Sequence, residues 1–235
     1  MSPRLFVIFA HARTGSENLC RALGSGSGKP ALSEPFNPRY PLWGEPGPYE
    51  YVEPKTRESL YETIDDIEQS YSGLKTMTYQ LTPSLNEALA YRQETAAIFL
   101  YRRDVLAAAV SQEVGMISRH WHTFDDASVA QRNARMQIDP VAVAGHVRRF
   151  LEAQRWMKEM SVRTNSPYLS YEEIYDNDDR EAEEVVLRMC DSIEVAPPNS
   201  TVAKSLLSRD VVPIRHQHQI TNLTDVVDAC RRLTR

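Results

Sequence analysis

The segment Arg4-Leu-Phe-Val-Ile-Phe-Ala10 runs directly into His11-Ala-Arg-Thr-Gly-Ser16, and this junction determines which fold we predict. After Arg4, the first part consists of aliphatic and aromatic residues without polar alternation, which is typical of a strand buried on both faces of a parallel sheet. The second part is a polar turn that contains a glycine. A helical spacing of apolar residues follows at Leu19, Cys20, Ala22 and Leu23, so the unit is a strand, a polar loop and a helix.

Three further runs have the character of short or buried strands: residues 73–77, 95–101 and 167–171. Strands that alternate with helices indicate a mostly parallel sheet with right-handed crossovers. We therefore expect a single α/β domain over residues 1–235, in which helices flank the sheet. The predicted helices cover residues 57–71, 84–92, 105–116, 139–163 and 178–193, and a last helix lies near the end of the chain.

Residues 29–56 form a long segment that is rich in Pro, Gly and Tyr and has no periodicity. An irregular segment of this length inside a compact domain is often a lid or a binding loop. The alternative is an ordinary surface loop.

The composition excludes several classes of protein. A hydrophobic content of 42% in 235 residues is enough for one sizeable core, and the net charge of −5 disfavours a non-specific nucleic-acid binder. Cys20, Cys190 and Cys230 are too far apart in sequence to indicate a disulfide framework or a paired metal site. No apolar run approaches the roughly 20 residues of a membrane helix. We expect a soluble, cytoplasmic protein without a membrane span, and the 139–163 helix could pack in the core or in a homodimer.

The loop after the first strand is a candidate anion site. Unpaired N–H groups and the helix dipole favour an anion where a strand ends and a helix begins. Gly15 allows close approach of the backbone, Thr14 and Ser16 offer hydroxyls, and Arg13 offers a charged fork of donors. The Walker pattern G-x-x-x-x-G-K-[ST] is absent, which disfavours ATP or GTP hydrolysis. Alternatively, the loop only turns the chain and Ser16 caps the helix.

A second candidate anion site follows the 95–101 strand. Arg102-Arg103-Asp104 lies at its end, and Ser111 follows Arg103 by eight residues on the next predicted helix. Ligands of open α/β sheets bind at the carboxyl ends of the strands, so two such sites fit a ligand with two separated phosphates. The alternative is a surface arginine beside a helix capped by Asp104.

Together these motifs resemble those of the PAPS-dependent sulfotransferases, where PAPS is 3′-phosphoadenosine-5′-phosphosulfate. The group they resemble most is the bacterial trehalose 2-sulfotransferase-like group of carbohydrate sulfotransferases. Its loop motif R-T-G-S-T-x-L-C is similar to Arg13-Thr-Gly-Ser-Glu-Asn-Leu-Cys20. Its second motif R-R-D-x-x-x-x-A-V-S is similar to Arg102-Arg-Asp-Val-Leu-Ala-Ala-Ala-Val-Ser111. The resemblance implies a three-layer domain like that of the P-loop NTPases. It also implies PAPS as donor, no metal, and an acceptor hydroxyl on a carbohydrate or small metabolite.

The same resemblance implies roles for individual residues. The loop would hold the 5′-phosphosulfate, and Arg103 and Ser111 would bind the 3′-phosphate. Glu34-Pro35-Phe36 is similar to the family element whose Glu is the proposed general base, and Leu74-Lys75-Thr76 to the strand whose Lys lies near the transferred group. The loop residues implied in donor binding are Arg13, Thr14, Gly15, Ser16 and Asn18, with Arg13, Glu34 and Lys75 as the catalytic set.

Two positions depart from the family pattern. Met77 stands where cytosolic members carry a His base, which leaves Glu34 as the candidate base. Glu17 replaces a hydroxyl residue of the loop and would repel a phosphosulfate if it pointed inward. The alternative functions are therefore a catalytically inactive sulfotransferase-like nucleotide-binding or scaffold protein, and a small-molecule kinase.

The remaining motifs lie further along the chain. His120-Trp121-His122 and His216-Gln217-His218 lack a third ligand at recognisable spacing, so we expect no metal site. The resemblance places residues 29–56 and the stretch after Ser111 on the acceptor side, where Trp121 could stack on a sugar ring or be an ordinary core or rim aromatic. It also suggests that a basic patch of Arg209, Arg215 and His216 covers the 3′-phosphate; alternatively, this patch is solvated surface.

Overall fold

The computed structural model describes residues 5–38, 53–118, 137–207 and 220–233. Several sequence predictions concern residues outside these ranges. They are the roles of Trp121, of the two His-x-His segments, of Arg209 and Arg215, and of residues 39–52 within the 29–56 segment.

Five strands form a central sheet in the order β2-β3-β1-β4-β5, and every neighbouring pair is parallel. The predicted α/β class with a parallel sheet flanked by helices is therefore confirmed. The strands are β1 (Leu5–Ala10), β2 (Ala31–Ser33), β3 (Gly73–Met77), β4 (Thr95–Tyr101) and β5 (Tyr168–Ser170).

Strand β1 is the centre of the sheet, and all six of its residues are buried. Its apolar run allows this because both faces of a parallel sheet are covered by helices. Phe6 lies opposite Gly73 of β3, where a Cβ would come within 2.4 Å of the Phe6 ring. Glycine at position 73 thus leaves room for the buried side chain of Phe6.

The described helices pack on both faces of the sheet. Their bounds are α1 (Ser16–Gly26), α2 (Arg57–Ser70), α3 (Pro83–Ala90), α4 (Val105–Ser118), α5 (Pro140–Thr164), α6 (Tyr171–Tyr175), α7 (Asp179–Ser192), α8 (Ser200–Leu207) and α9 (Leu223–Leu233).

Alternate residues of the strands direct their side chains to the two faces. Phe6 and Ile8 of β1 join a core cluster with α1, α6, α7 and α8. Val7 and Phe9 join a second cluster with α2, α3 and the C-terminal half of α5. A third cluster lies between α4, the N-terminal half of α5 and α9. The result is the three-layer arrangement that the resemblance implies.

The structure corrects the description of residues 29–56 as wholly irregular. Residues 31–33 form β2, and Leu32 pairs with Leu74 of β3 at the edge of the sheet. Three residues are too few to show the apolar run or the alternation on which a strand prediction rests. Two helices, α6 and α8, were also not predicted, and α6 is only five residues long.

The strand order changes direction at β1. The chain passes from β1 to β2 and β3 on one side, and then crosses to β4 and β5 on the other. Open α/β sheets bind their ligands in the crevice at such a switch point, outside the carboxyl ends of the strands. Within the described ranges, the structure contains no helix that is long and apolar enough to cross a membrane.

Candidate active site

The loop between β1 and α1 lies at this switch point and has an unusual backbone. Arg13 and Gly15 both adopt left-handed conformations, with φ angles of 67° and 72°. The hydroxyl of Thr14 is buried and donates to the carbonyl of His11 at 3.1 Å. Gly15 occupies the N-cap position of α1 and provides no side-chain cap. Ser16 is the first helical residue and not the N-cap residue, so no side chain caps the start of α1.

Arg13 connects this loop to α4. Its Nε donates to Oγ of Ser111 at 2.9 Å, and the Ser111 side chain is buried. Burial of the guanidinium, together with the nearby charge of Arg102, lowers the pKa of Arg13 below its ordinary value. An arginine still remains protonated in such surroundings. The two strand-end motifs of the sequence therefore meet in one partly buried, positively charged corner.

The structure places Arg103 away from this corner. Its side chain is 57% exposed, and Nη2 lies 3.3 Å from Oε2 of Glu173. The carboxylate of Glu172 accepts the backbone N–H groups of Arg103 and Asp104, at 2.9 and 3.0 Å. The predicted pairing of Arg103 with Ser111 at the 3′-phosphate thus requires the Arg103 side chain to leave Glu173, and it stays a prediction.

Sequence reasoning missed Arg102, which approaches the loop more closely. Its Nη1 donates to the carbonyl of Arg13 at 3.3 Å, and its guanidinium lies 4.4 Å from the centre of the Tyr171 ring. The Nε of Arg102 and the hydroxyl of Tyr171 are buried without a hydrogen-bond partner in the described parts of the chain. Buried donors of this kind are costly unless a ligand or water pairs with them. The sequence signal that could have identified Arg102 is the pair of arginines that follows the 95–101 strand, of which only Arg103 was predicted to bind a ligand.

Lys75, the central residue of β3, lies between two acidic side chains. Its Nζ lies 3.0 Å from Oε2 of Glu17 and 2.9 Å from Oε1 of Glu34. The ammonium group is almost fully buried. Burial alone would lower the pKa of Lys75, but the two carboxylates outweigh it and raise the pKa above its ordinary value. Lys75 is therefore charged and paired with both carboxylates.

Glu34 follows β2 with a positive φ of 52°, which turns its side chain towards β3. Its second oxygen, Oε2, accepts from Nδ2 of Asn37 and from Nε2 of Gln80, both at 2.7 Å. Burial raises the pKa of Glu34, but Lys75 and these amide donors together bring it below its ordinary value. The carboxylate is thus ionised and held by three side chains.

The side chain of Glu17 extends from the first turn of α1 towards β2 and β3. Besides Lys75, its Oε2 accepts from the hydroxyl of Ser33 at 2.5 Å. The ammonium group of Lys75 therefore partly neutralises the negative charge of Glu17 beside the loop. Asn18 lies next to it, half-exposed on the same turn. The cluster of Lys75, Glu17 and Glu34 carries a net charge of −1.

His11 supports the loop from the core side. Its Nε2 accepts from the backbone N–H of Arg102 at 3.3 Å, so its proton is on Nδ1, which donates to the carbonyl of Ala12 at 2.9 Å. Burial, with a smaller contribution from the charge of Arg102, lowers the pKa of His11 to about 4. A neutral imidazole therefore joins the ends of β1 and β4.

The donor set of the site suits an anionic ligand. Among residues 5–38, 53–118, 137–207 and 220–233, no group of three or more His, Cys, Asp or Glu could hold a metal ion. The corner around Arg13 combines the guanidinium of Arg13, the buried hydroxyl of Ser111 and the uncapped start of α1. These groups fit phosphate or sulfate oxygens.

The chain matches no family model and no curated protein sequence. Among solved structures, it is similar to the crystal structure of a sulfotransferase from Alicyclobacillus acidocaldarius. The superposition has a TM-score of 0.51 at 15% sequence identity, and it covers 86% of this chain and 85% of that one. This likeness supports the sulfotransferase fold that the sequence motifs imply.

Proposed function

We propose that this protein is a sulfotransferase that moves a sulfuryl group from PAPS to an acceptor hydroxyl. The observation that carries the proposal is the convergence of Arg13, Ser111 and the open N-terminus of α1 at the switch point of the sheet. Lys75 of β3 pairs with Glu34, which directly follows the neighbouring strand β2. The sequence motifs and the likeness in fold support the same conclusion.

The anionic donor would occupy the positively charged corner. The N–H groups at the start of α1 and the guanidinium of Arg13 would hold the 5′-phosphosulfate, with Thr14, Gly15, Ser16 and Asn18 forming the rest of its surroundings. Ser111 would contact the 3′-phosphate, and Arg103 would join it by exchanging Glu173 for the phosphate. Binding by N–H groups and arginines in a partly buried corner is strong because the screening of charge by water is reduced there.

When bound, PAPS supplies the sulfuryl group, and adenosine 3′,5′-bisphosphate is the leaving product. The protein has to remove a proton from the acceptor and to stabilise negative charge on both the leaving phosphate and the sulfuryl oxygens. We assign proton removal to Glu34, stabilisation of the leaving phosphate to Arg13, and stabilisation of the sulfuryl oxygens to Lys75. The acceptor hydroxyl would replace one donor to Glu34, and its proton would pass to that carboxylate.

Glu34 is ionised at neutral pH, as a base must be. Its lowered pKa would make it a weak base while Lys75, Asn37 and Gln80 all donate to it. If Lys75 turns towards the sulfuryl oxygens, Glu34 loses its closest positive charge and its pKa rises. The contact of 2.9 Å between Lys75 Nζ and Glu34 Oε1 thus couples the position of the Lys75 charge, on the donor side, to the basicity of Glu34, on the acceptor side.

A carbohydrate or small-metabolite hydroxyl is the acceptor class that we propose, on the resemblance to the trehalose 2-sulfotransferase-like group. One observation favours a second candidate function, a nucleotide-binding protein without turnover. In this structure both carboxylates engage Lys75, and Glu17 is the residue that departs from the family loop. In that case, the protein would bind the adenosine bisphosphate and transfer nothing.

Release of adenosine 3′,5′-bisphosphate from PAPS, measured with and without a panel of sugar and small-molecule hydroxyl acceptors, tests the proposal. Acceptor-dependent release is expected, and ATP should transfer no phosphoryl group to the same acceptors. Tight binding of the bisphosphate without release for any acceptor would favour the inactive binding protein. Phosphoryl transfer from ATP would contradict the proposal and favour a kinase.

A further inference from the structure

We propose that Arg102 and Tyr175 are positioning residues that hold the loop of residues 13–16 in its anion-binding conformation from outside the site. Arg102 holds the carbonyl of Arg13, and Tyr175 holds the carbonyl of Gly15. The inference rests on the proposed function in one respect: the anion is taken to be the 5′-phosphate of the donor.

The loop needs such support because its backbone is not locally favoured. Arg13 has a side chain but adopts a φ of 67°, which is uncommon for residues other than glycine, asparagine and aspartate. Conformations of this kind persist only where surrounding contacts fix them. Two left-handed residues separated by Thr14 also turn successive peptide planes, so contacts to the carbonyl oxygens control where the N–H groups point.

Tyr175, at the end of α6, is packed directly against Gly15. Its hydroxyl donates to the Gly15 carbonyl at 2.7 Å, and burial raises the pKa of the phenol, which keeps it protonated. A Cβ on Gly15 would lie 2.3 Å from the Tyr175 ring. The ring therefore fills the space behind the loop, and the hydroxyl, together with the N–H of Leu19 at 3.2 Å, holds the carbonyl of the peptide that precedes Ser16.

Arg102 holds the other end of the loop, and Tyr171 links the two supports. The Arg102 guanidinium lies 4.4 Å from the centre of the Tyr171 ring, and the Tyr171 ring stacks on Tyr175 at 4.8 Å. The three side chains form one continuous stack beside the loop. It joins the end of β4 to α6, so both supports belong to the rigid part of the fold.

The stack acts on the ligand through the geometry of the peptide bond. In a planar trans peptide, the carbonyl oxygen and the next N–H point in opposite directions. With the carbonyls of Arg13 and Gly15 bonded to Arg102 and Tyr175, the N–H groups of Thr14 and Ser16 point away from the stack. Donors fixed in advance in this way bind an anion without the cost of ordering the loop.

The test compares two tyrosine variants that each lose one hydroxyl bonded to a backbone carbonyl. Tyr175→Phe removes the bond to Gly15, whereas the control Tyr168→Phe removes a bond of 3.4 Å to the carbonyl of Gln154. Affinity is measured by calorimetry with adenosine 3′,5′-bisphosphate and, in competition, with 3′-AMP, which lacks the 5′-phosphate. Loss of one positioning bond is expected to weaken bisphosphate binding by about tenfold in Tyr175→Phe. Binding of 3′-AMP, and both affinities of the control, should stay within about twofold of the wild type.

Equal weakening of 3′-AMP and bisphosphate binding in Tyr175→Phe would overturn the inference, because it would indicate general loosening of the fold. Unchanged bisphosphate binding would overturn it as well, while leaving the proposed function intact. Failure of the wild type to bind the bisphosphate would overturn both.

Arg102→Lys tests the second support and replaces the first test if Tyr175→Phe does not fold. The substitution keeps the positive charge but removes the planar fork that reaches the Arg13 carbonyl. Bisphosphate affinity is expected to fall by about tenfold with 3′-AMP affinity retained. Wild-type affinity for the bisphosphate in Arg102→Lys would show that the charge alone matters and would overturn the positioning role.

Discussion

Arg13 and Ser111 are joined by a hydrogen bond of 2.9 Å between Nε and Oγ, although 98 positions separate them in the sequence. The bond exists because β1 and β4 are parallel neighbours, so the loops that follow them emerge at the same edge of the sheet. It places a guanidinium between the open N-terminus of α1 and a buried hydroxyl of α4. Both halves of the proposed donor site depend on this contact.

Replacing Arg13 should therefore weaken donor binding far more than it weakens the fold. Arg13→Gln is expected to lower the affinity for adenosine 3′,5′-bisphosphate by roughly 10- to 100-fold, because charge-assisted hydrogen bonds to the phosphates are lost. Calorimetry measures the affinity. Arg148→Gln is the matched control, since the Arg148 side chain is 74% exposed on α5 and pairs with Glu152 one turn away. A comparable loss of affinity in both variants would contradict the assignment.

Glu34→Gln should lower turnover without abolishing donor binding. Loss of a general base typically costs 10²–10⁴-fold in kcat. The neutral amide keeps the size of the side chain, and Lys75 retains Glu17 as its partner. The measurement is steady-state release of the bisphosphate with an active acceptor, and Glu62→Gln on the exposed face of α2 is the control. Near-full turnover of Glu34→Gln would show that another group accepts the proton.

Lys75 should be important for stability as well as for activity. Lys75→Met leaves the carboxylates of Glu17 and Glu34 partly buried without their shared cation, which is expected to cost about 3–5 kcal/mol of unfolding free energy. The double variant Lys75→Met/Glu17→Gln should recover part of that loss because one unpaired charge is removed. Urea unfolding of the four proteins in this cycle measures the coupling. Strictly additive effects of the two substitutions would show that the pair contributes nothing.

His11 should make stability depend on pH in the mildly acidic range. Its pKa is about 4 in the folded protein against 6.5 for an ordinary histidine, so the unfolded chain binds more protons between these values. Stability therefore rises with pH in this window and falls on acidification, by about 2 kcal/mol between pH 7 and pH 5. In His11→Gln this contribution to the pH dependence should disappear, as measured by urea unfolding at both pH values. An unchanged pH dependence in the variant would mean that His11 is not a buried neutral group.

Much of the fold could be predicted from the sequence because it depends on long apolar runs and clear junctions. The strand prediction for residues 95–101 coincides with β4, and the 139–163 helix prediction differs from α5 by one residue at each end. Strand β2 was missed because three residues leave no pattern, and because its pairing with β3 depends on contacts across 42 positions of sequence.

The site was only partly predictable, because the sequence does not give the direction of a side chain. The motif spacing selected Arg103, yet the structure brings Arg102 to the loop and turns Arg103 towards Glu173. The direction of the Glu17 side chain likewise depends on its contacts with Lys75 and Ser33, which are distant in sequence. Tyr175 carries no motif at all, and its contact with Gly15 exists only in the folded protein.

The most direct test of the account is the binding of adenosine 3′,5′-bisphosphate compared with ADP and 5′-AMP, measured by calorimetry for the wild type and for Ser111→Ala and Arg103→Ala. Only the bisphosphate carries the 3′-phosphate that separates a PAPS enzyme from a kinase. The account predicts a strong preference of the wild type for the bisphosphate, reduced by about tenfold or more in each variant, and an unchanged 5′-AMP affinity in Arg103→Ala. Equal affinity for the three nucleotides, or no binding of the bisphosphate, would contradict the proposed donor site.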